Sequence, residues 1–470
     1  MTILIQNAAL VLPGRVIPRG YLLIENDYIT ALGEIPINSL PIPIINNPAT
    51  HITHIIDASN KVLLPGFINA HTHLEQTFMR GYSANRSLLD WLRNCIWKLQ
   101  GAMDVEDVRL ATTLGLVEAM RGGATTIINH HKVPFSKQHT DVVLQAAEKL
   151  GLRIVLARAW ADTGANAESP SSILDDLTRL FSEWHGAAQG RIHIANGPLV
   201  PWRCSADTLQ RSTALARAHN ALTHCHISET QAEVALTLKD TGMRPIEWLD
   251  SLGILGDDFH AVHGVWLSDI EIKLLAKHGA TVTHCPAANM ILASGAAPIA
   301  KLQQTARYKP GLFNAGLPSD SLSSGINLAL ATDGPASNDG QDMFEMMRLA
   351  ALLARVTTLD AQAMQPREII DMATLGGANA LKRLEIGRLE IGAKADLILV
   401  DMNAAHIQPV GDVLAALVYT VRGSDVDTVI VDGRVLMQNK QVLGLDENAL
   451  LEECRERATH LAKRAGVARA

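Results

Sequence analysis

Two histidines separated by one residue, His71 and His73, follow an apolar run in the segment LLPGFINAHTHLEQ at residues 63–76. The run from Leu63 to Ile68 predicts one short buried strand, and alternate side chains of a strand lie on the same face. Both imidazoles are therefore expected to face one point. Two neutral imidazoles placed in this way can hold a divalent metal ion and leave room for other ligands and a water. A His-x-His pair is also common as plain structure, so the rest of the chain has to decide.

Further polar residues follow three later apolar segments. His226 ends the segment ALTHCH, His263 ends DFHAVH, and Asp333 follows INLALAT. Each alone has an ordinary explanation, because histidines occur in protein cores and an aspartate can cap a helix. Four imidazoles and one carboxylate occur at the ends of such segments, however, and a set of three imidazoles and one carboxylate suits zinc or a similar ion. Glu229, three residues after His226, is expected to reach the same point without binding the metal.

These residues have to be positioned by apolar strands that alternate with amphipathic helices, a pattern that specifies a parallel sheet covered by helices. Eight such strands are predicted, at residues 63–71, 124–131, 153–160, 191–198, 221–229, 258–266, 280–289 and 326–334. Eight β-α units predict an α/β fold with a (β/α)8 barrel, whose chemistry lies at the carboxyl ends of the strands. We assign the barrel to residues 65–385. Residues 1–64 and 386–470 are predicted to form one small β-sandwich, with a terminal helix.

The composition narrows the class of protein. Hydrophobic residues make up 47% of the 470 residues and charged residues 19%, which predicts a folded, soluble protein. The formal charge is −7 and no basic run tracks a phosphate backbone, so nucleic acid is not an expected partner. No apolar run approaches the ~18 residues of a membrane span. Five scattered cysteines, never spaced C-x-x-C, argue against disulfides and a thiolate zinc site, and we expect a cytoplasmic location.

Two segments stand apart from the β-α pattern. Residues 34–53 carry four prolines and no clear period, which predicts a surface loop. Residues 300–324 are rich in Gly, Pro and Ser. This composition is typical of a plain surface insertion, and a lid or an interface loop is the alternative.

Four motifs occur in the order PGFINAHTH, HISE, HAVHG and ATDGPASND, and over essentially the whole chain they resemble the amidohydrolase superfamily. The stretches FMRG followed by LLDWL, SETQAEV and SNDGQDMFEMMRLAALL are similar to the branch of S-adenosylhomocysteine/5′-methylthioadenosine deaminases, guanine and 8-oxoguanine deaminases and triazine hydrolases. Binuclear relatives carry a lysine in the fourth strand, and RIHIANGP has none. The resemblance therefore implies one Zn²⁺ per chain, or Fe²⁺ or Mn²⁺ in its place, held by His71, His73, His226 and Asp333.

The resemblance also implies a reaction. Zinc lowers the pKa of a bound water toward 7, which makes a hydroxide nucleophile available at neutral pH. Glu229 is expected to carry the proton of the water to a ring nitrogen, and His263 to polarise or orient the water. Asp333 is expected to pass the second proton to the leaving ammonia. The expected reaction is hydrolytic deamination of an amino-substituted purine, pterin, pyrimidine or triazine.

The substrate contacts are less closely defined. Nucleoside deaminases of this branch place an acidic residue before a tryptophan, where it meets the ribose, and this chain has Asp90 before Trp91; a helix-start aspartate is the alternative. The same enzymes carry a histidine where this chain has Leu199, which argues against a nucleoside. Arg158 resembles an arginine that binds the substrate carboxylate in S-adenosylhomocysteine deaminases, and could instead serve packing or pairing.

Two more residues are predicted substrate contacts. Gln76 follows the metal-binding pair, and His131 ends the second strand, where a role in supporting its neighbours is the alternative. Other functions that stay open are displacement of chloride or alkylamine from a triazine, deamination of S-adenosylhomocysteine or 5′-methylthioadenosine, and a non-catalytic scaffold, which the complete ligand set disfavours. We expect a small heterocyclic substrate and a homo-oligomer, a dimer or larger.

Overall fold

The computed structural model describes residues 1–36, 52–133, 135–306 and 325–467. Most of the two segments predicted at 34–53 and 300–324, including the predicted lid or interface loop, lies outside these residues. The described strands form two sheets, one of eight strands and one of nine.

Eight parallel strands form the barrel in sequence order. They are β6 Phe67–Thr72, β7 Ala124–His131, β8 Arg153–Trp160, β9 Ile192–Pro198, β10 Thr223–Ile227, β11 Phe259–His263, β12 Thr281–His284 and β13 Asn327–Leu330. The last strand returns to the first, where the backbone N–H of Asp333 donates to the carbonyl of His71 (3.0 Å). The predicted (β/α)8 barrel is confirmed.

The second sheet combines strands from both ends of the chain. Its strands are β1 Thr2–Leu12, β2 Arg15–Glu25, β3 Tyr28–Glu34, β4 His54–Asp57, β5 Lys61–Pro65, β14 Leu397–Asp401, β15 Val426–Val431, β16 Arg434–Gln438 and β17 Gln441–Val442. The order is β17-β16-β15-β14-β5-β1-β2-β3, with β4 also paired to β1. β5 and β14 pair antiparallel, so the two chain ends meet in the middle of this sheet.

Helices lie between successive barrel strands along the chain. The described helices are α1 Leu88–Trp91, α2 Trp97–Ala102, α3 Val105–Arg121, α4 Lys137–Leu150, α5 Pro170–Glu183, α6 Ala187–Gly190, α7 Ala206–Ala218, α8 Gln231–Thr241, α9 Pro245–Ser251, α10 Asp269–His278, α11 Pro286–Ile291, α12 Ile299–Gln304, α13 Met343–Thr358, α14 Pro366–Asp371, α15 Gly377–Ala380, α16 Val413–Tyr419 and α17 Glu447–Ala465. Short 3-10 helices span Leu74–Met79, Pro201–Arg203 and Gly423–Asp425, and π turns span Leu92–Ile96 and Met372–Gly376.

The helix boundaries follow from local sequence. Capping boxes begin α3, α8 and α10, where Asp104, Thr230 and Ser268 accept from the backbone three residues later. Gly242 and Gly279 end α8 and α10 with left-handed backbone, which glycine adopts without penalty. None of the helices in the described ranges has the length and apolar character that a bilayer crossing demands. All five cysteines are unpaired.

The predicted first strand is divided into two. Leu63 belongs to β5 in the nine-stranded sheet, whereas Ile68 belongs to β6 in the barrel. Gly66 separates them: a Cβ at this position would lie 2.1 Å from Cγ2 of Thr125, so only glycine permits the chain to pass so close to β7. Prediction of a single strand from Leu63 onward was therefore wrong, because the break depends on a tertiary contact that hydrophobic periodicity does not show.

Candidate metal centre and active site

The carboxyl ends of the barrel strands bring five predicted residues together. His71 lies near the end of β6, His73 follows it, His226 lies in β10, His263 ends β11, and Asp333 follows β13. Oδ1 of Asp333 lies 3.2 Å from Nε2 of His71 and 3.5 Å from Nε2 of His73. The potential ligand atoms of His71, His263 and Asp333 all lie within 4.8 Å of one another. The structure therefore brings the side chains of the predicted cluster close together.

Two of the histidines have their ring orientation fixed by backbone carbonyls. Nδ1 of His73 donates to the carbonyl of His130 (2.6 Å), and Nδ1 of His226 donates to the carbonyl of Leu199 (2.7 Å). With the proton on Nδ1, both Nε2 atoms carry lone pairs, and these atoms lie 3.2 Å apart. Two facing lone pairs repel each other unless a cation or a proton lies between them. The donor set therefore fits a metal ion, and the carbonyl contacts are those that orient metal-binding histidines.

Burial favours the neutral forms of His71 and His226, the forms that metal binding requires. Burial lowers the pKa of His226 to about 3, and the neighbouring His73 and His263 add to the effect. The pKa of His71 is also held well below its usual value, first by burial and then by the surrounding imidazoles. Nδ1 of His71 lies 2.8 Å from Nε2 of His224, while its own Nε2 has no hydrogen-bond partner among the described residues.

Asp333 is held by its own loop. Its Oδ1 accepts from the N–H of Gly334 (2.6 Å) and its Oδ2 from Oγ of Ser337 (2.8 Å). Its carbonyl accepts from Oγ1 of Thr72 (3.0 Å) and Nε2 of Gln341 (3.0 Å). The residue has φ 63°, a left-handed conformation that is unfavourable for aspartate and is typical of functional sites. The surrounding hydrogen bonds maintain this conformation and direct the carboxylate toward the histidines.

Glu229 lies beside the histidine cluster and outside it. Its Oε1 accepts from Oγ of Ser294 (3.0 Å), and its Oε2 lies 3.6 Å from Nε2 of His263. Nδ1 of His263 lies 2.9 Å from Oδ1 of Asn289, to which it donates. Burial raises the pKa of Glu229 to about 8, and the Asp333 carboxylate adds to this rise. A carboxyl group with a pKa near neutrality can both give and take a proton.

A pocket of about 630 Å³, its open mouth included, leads to the cluster. Its lining residues are His73, Gln76, Leu88, Trp91, Leu92, Ile96, Trp97, Gln100, Lys132, Leu199, Val200, Trp202, Arg203, His226, Glu229, Glu233, His263, Leu292 and Asp333.

Two of the predicted substrate contacts line this pocket. Gln76 and Trp91 reach the wall, and neither Oε1 of Gln76 nor Nε1 of Trp91 has a hydrogen-bond partner among the described residues. Asp90, the residue before Trp91, does not reach it. The side chain of Asp90 is 44% exposed and accepts from Arg86 (3.0 Å), which precedes α1, and from Asn94 (2.6 Å) in the π turn that follows it. The helix turns adjacent residues in different directions, so only the tryptophan faces the pocket.

Two other predicted contacts are also directed away from the pocket. Arg158 donates to both oxygens of Glu168 (3.0 and 2.5 Å) and to Oδ2 of Asp176 (2.9 Å). His131 is buried, with Nδ1 3.5 Å from Oε2 of Glu75. Its neighbour His130 takes the opposite face of β7, as alternation in a strand requires, and its ring lies against the cluster at 4.8 Å from that of His226.

The structure adds three residues that the sequence had not singled out. His130 joins His71, His73 and His226 in a group whose ligand atoms lie within 4.8 Å of one another. Lys132 and Arg203 line the pocket as buried cations. Burial lowers the pKa of Lys132 to about 8 against the attraction of Glu168. The run His-His-Lys at a strand's carboxyl end was the available signal for two of them.

Comparisons with known proteins agree with this geometry. The family model described as amidohydrolase family matches residues 62–309 and 314–436. The chain belongs to the amidohydrolase family. It is 37% identical to a 5-methylthioadenosine/S-adenosylhomocysteine deaminase of Syntrophomonas wolfei over 95% of each chain. The predicted family is thereby confirmed, and the relative is named for hydrolytic removal of an amino group.

Solved structures extend the likeness to the whole fold. An adenosine deaminase from Xanthomonas campestris with bound zinc has a TM-score of 0.87 and 30% identity, covering 98% of each chain. An atrazine chlorohydrolase from Arthrobacter aurescens complexed with zinc has a TM-score of 0.84 and 25% identity, covering 98% of this chain and 99% of that one. Both of these proteins hold zinc in a fold that matches this chain from end to end.

Proposed function

We propose that this protein is a metal-dependent hydrolytic deaminase that releases ammonia from an amino-substituted nitrogen heterocycle. One observation carries the proposal: the Nε2 atoms of His73 and His226 face each other at 3.2 Å, the Asp333 carboxylate lies 3.5 Å from Nε2 of His73, and Glu229 lines the same pocket. The deaminase relatives and the zinc-containing neighbours support the same reaction.

The residues that would hold the metal are His71, His73, His226 and Asp333. One Zn²⁺ per chain suits three imidazoles and a carboxylate, with Fe²⁺ or Mn²⁺ as alternatives, and β9 carries no lysine that could bridge a second ion. Bound zinc lowers the pKa of a coordinated water toward 7 and so supplies the nucleophile at neutral pH.

Glu229 is placed to move protons during the reaction. The hydroxyl of Ser294 fixes one carboxylate oxygen, and the other faces His263 at the mouth of the cluster. We assign Glu229 to take a proton from the attacking water and deliver it to a ring nitrogen, which makes the ring carbon electrophilic. Asn289 fixes the ring of His263, whose free Nε2 can then orient the water. Asp333 accepts the second proton and returns it to the leaving ammonia.

The substrate class that we propose is a flat amino-heterocycle of purine, pterin, pyrimidine or triazine type. The indole rings of Trp91 and Trp97 line the pocket and offer faces on which such a ring can stack. An adenine nucleoside, the substrate named for the relatives, is one member of this class. Asp90 lies on the surface, so it does not fill the position that meets ribose in the nucleoside enzymes, and Leu199 lines the pocket where those enzymes carry a histidine. The sugar would therefore have fewer polar partners here.

A screen for ammonia release tests the proposal. Protein stripped of metal and then reconstituted with one equivalent of zinc is supplied with aminated purines, pterins, pyrimidines and triazines, together with a chlorinated triazine. We expect ammonia from at least one amino compound in the zinc protein and none in the stripped protein. Chloride release without ammonia release would contradict deamination and favour the dechlorinating reaction of the triazine hydrolases.

We also propose that the protein is a homo-oligomer. Three large apolar residues on one face of α13 and at its end, Leu352, Val356 and Leu359, are 44%, 65% and 91% exposed. The spacing of four and three residues makes them one stripe, and exposed apolar stripes mark contact surfaces. Light scattering at micromolar concentration is expected to give twice the chain mass or more, and a monomeric mass would contradict this.

A further inference from the structure

Two cations in the pocket have no carboxylate among the described residues that hydrogen-bonds to them. Lys132 follows β7, and Arg203 ends the short 3-10 helix after β9. The Lys132 side chain is 5% exposed, and Arg203 is 1% exposed. Within the described ranges, neither Nζ of Lys132 nor Nη1 of Arg203 has a hydrogen-bond partner. Both groups line the same pocket as the candidate metal ligands.

The carboxylate nearest to Lys132 is already in use. Oε1 of Glu168 lies 3.7 Å from Nζ of Lys132, beyond hydrogen-bond distance. Both oxygens of Glu168 accept from Arg158, at 3.0 and 2.5 Å. One carboxylate thus faces two cations and hydrogen-bonds with only one of them, which leaves the ammonium of Lys132 incompletely compensated.

Arg203 is fixed in place with one nitrogen free. Its Nε and Nη2 donate to the carbonyl of Thr163 (3.2 and 3.1 Å), and Nη2 also donates to the carbonyl of Ala165. Its guanidinium lies over the ring of Trp97, 5.0 Å from the centroid. These contacts hold the group rigid but supply no negative charge, and no described carboxylate lies within ion-pair distance of it. Such pre-organisation reduces the entropy lost on binding a ligand.

The pocket consequently has a cationic side and an acidic side. Lys132 and Arg203 come from the ends of β7 and β9, whereas Glu229 and Glu233 come from the end of β10 and the helix after it. Burial of a charge without a partner is unfavourable, and it is tolerated where a ligand supplies the opposite charge. The two cations line one pocket, and besides burial, charge repulsion from Arg203 helps to lower the pKa of Lys132, so an anion between them would be attracted by both.

We propose, on the basis of the proposed function, that Lys132 and Arg203 bind a carboxylate of the substrate, so that the enzyme deaminates an acidic heterocycle. The compact pocket holds the cations and the metal ligands together, which favours a carboxylate carried on the ring system itself. Arg158 is not part of this subsite, because its donors are committed to Glu168 and Asp176.

Matched compound pairs test this subsite. The zinc protein is assayed with pterin against pterin-6-carboxylate, cytosine against 5-carboxycytosine, and 5′-methylthioadenosine against S-adenosylhomocysteine. The first two pairs place the acid on the ring and the third places it on a tail, so that they distinguish the two sources of a carboxylate. We expect a higher kcat/KM, or for a compound that is not turned over a larger rise in Tm, for the acidic member of a ring pair.

Variants connect the preference to the two cations. Lys132→Met and Arg203→Met are each expected to reduce the acidic-to-neutral ratio of kcat/KM by about 10- to 100-fold, the value of a charge-assisted hydrogen bond. Lys137→Met, an exposed lysine five residues from Lys132, is the matched control and is expected to leave the ratio unchanged. Zinc content and Tm verify that each variant is folded. Lys132→Met is expected to keep the wild-type Tm, whereas Arg203→Met loses the hydrogen bonds to the carbonyls of Thr163 and Ala165 and is expected to have a lower Tm.

The failure of the subsite and the failure of the proposed function have different signatures. The proposed subsite is contradicted if the wild type does not favour the acidic member of any pair, either because both members are turned over alike or because neither binds. It is also contradicted if Lys132→Met and Arg203→Met leave the preference for the acidic member intact. An acidic compound that raises the Tm of the wild type but not of Lys132→Met, without ammonia release by any compound, supports the subsite and contradicts deamination.

Discussion

Two buried polar regions lie at opposite ends of the barrel strands, and they differ in how completely their groups are partnered. At the amino end of β8, Arg153 donates to both oxygens of Asp396 and to Asp432. Asp396 also accepts from the N–H of Asp432 (2.8 Å). At the carboxyl ends, by contrast, the Nε2 atoms of two histidines face each other, and Nζ of Lys132 has no hydrogen-bond partner in the part of the chain that the structure describes.

This comparison distinguishes buried charges that stabilise the fold from buried charges that are available to bind a ligand. The Arg153 cluster joins β8 to the segments around β14 and β15, and its two carboxylates and one guanidinium leave little for a ligand to add. The cluster at the carboxyl ends is incomplete with protein atoms alone. Its missing partners, a cation between the histidines and an anion beside Lys132, are what the proposed zinc ion and substrate would supply.

The largest expected effect comes from removing a metal ligand. His226→Ala should lose both metal and ammonia release, because it removes one of the three imidazoles in the proposed ligand set. Elemental analysis and the ammonia assay measure the two losses together. His193→Ala, a half-buried histidine of β9 that contacts Arg383, is the matched control and should keep its metal. Retention of a full equivalent of zinc by His226→Ala would exclude this histidine as a ligand.

The second largest expected effect is a difference in the free energy of unfolding between variants of two buried cations, Arg153 and Lys132. Arg153→Met leaves Asp396 and Asp432 buried without their main partner, and it is expected to reduce the free energy of unfolding by about 3–5 kcal/mol. Lys132→Met removes a cation that hydrogen-bonds to none of the described residues, and it is expected to reduce that free energy by less than about 1 kcal/mol. Urea unfolding of both variants gives the comparison. Similar losses in the two variants would show that Lys132 is partnered after all.

The smallest effect is expected at Asp90. Asp90→Asn alters a surface pair with Arg86, and surface pairs contribute little, so kcat/KM should change by less than about 2-fold. Trp91→Leu, at the adjacent residue that lines the pocket, should raise KM clearly, because it removes an aromatic face. Steady-state kinetics on the same substrate decides between them. A large loss in Asp90→Asn would restore the sequence-based prediction that this residue binds substrate.

The sequence predicted the barrel and the cluster because both depend on local periodicity and on the order of elements. The strand period placed His71 and His73 on one face, and barrel topology placed Asp333 beside them. Gly66 could not be identified as a strand break, because its close approach to Thr125 is a tertiary contact.

The sequence also could not predict the directions of side chains at and beyond the strand ends. Whether His130 or His131 faces the cluster depends on the register of β7, which hydrophobicity does not reveal in a strand that is buried on both faces. Arg158 looked available because its partners, Glu168 and Asp176, follow in a segment whose position the sequence leaves open. Lys132 is buried against the usual preference of lysine, and only the structure shows that it lacks a hydrogen-bond partner.

The most direct test of the account is to measure zinc content and turnover together in Glu229→Gln. Glu229 contacts Ser294 and His263 and lies outside the proposed ligand set, so the isosteric amide should leave one equivalent of zinc per chain. Without a carboxylate to move the proton onto the ring, turnover should fall by about 10²- to 10⁴-fold while inhibitor binding changes little. A variant that retains near wild-type turnover, or that loses its zinc, would contradict the role assigned to Glu229.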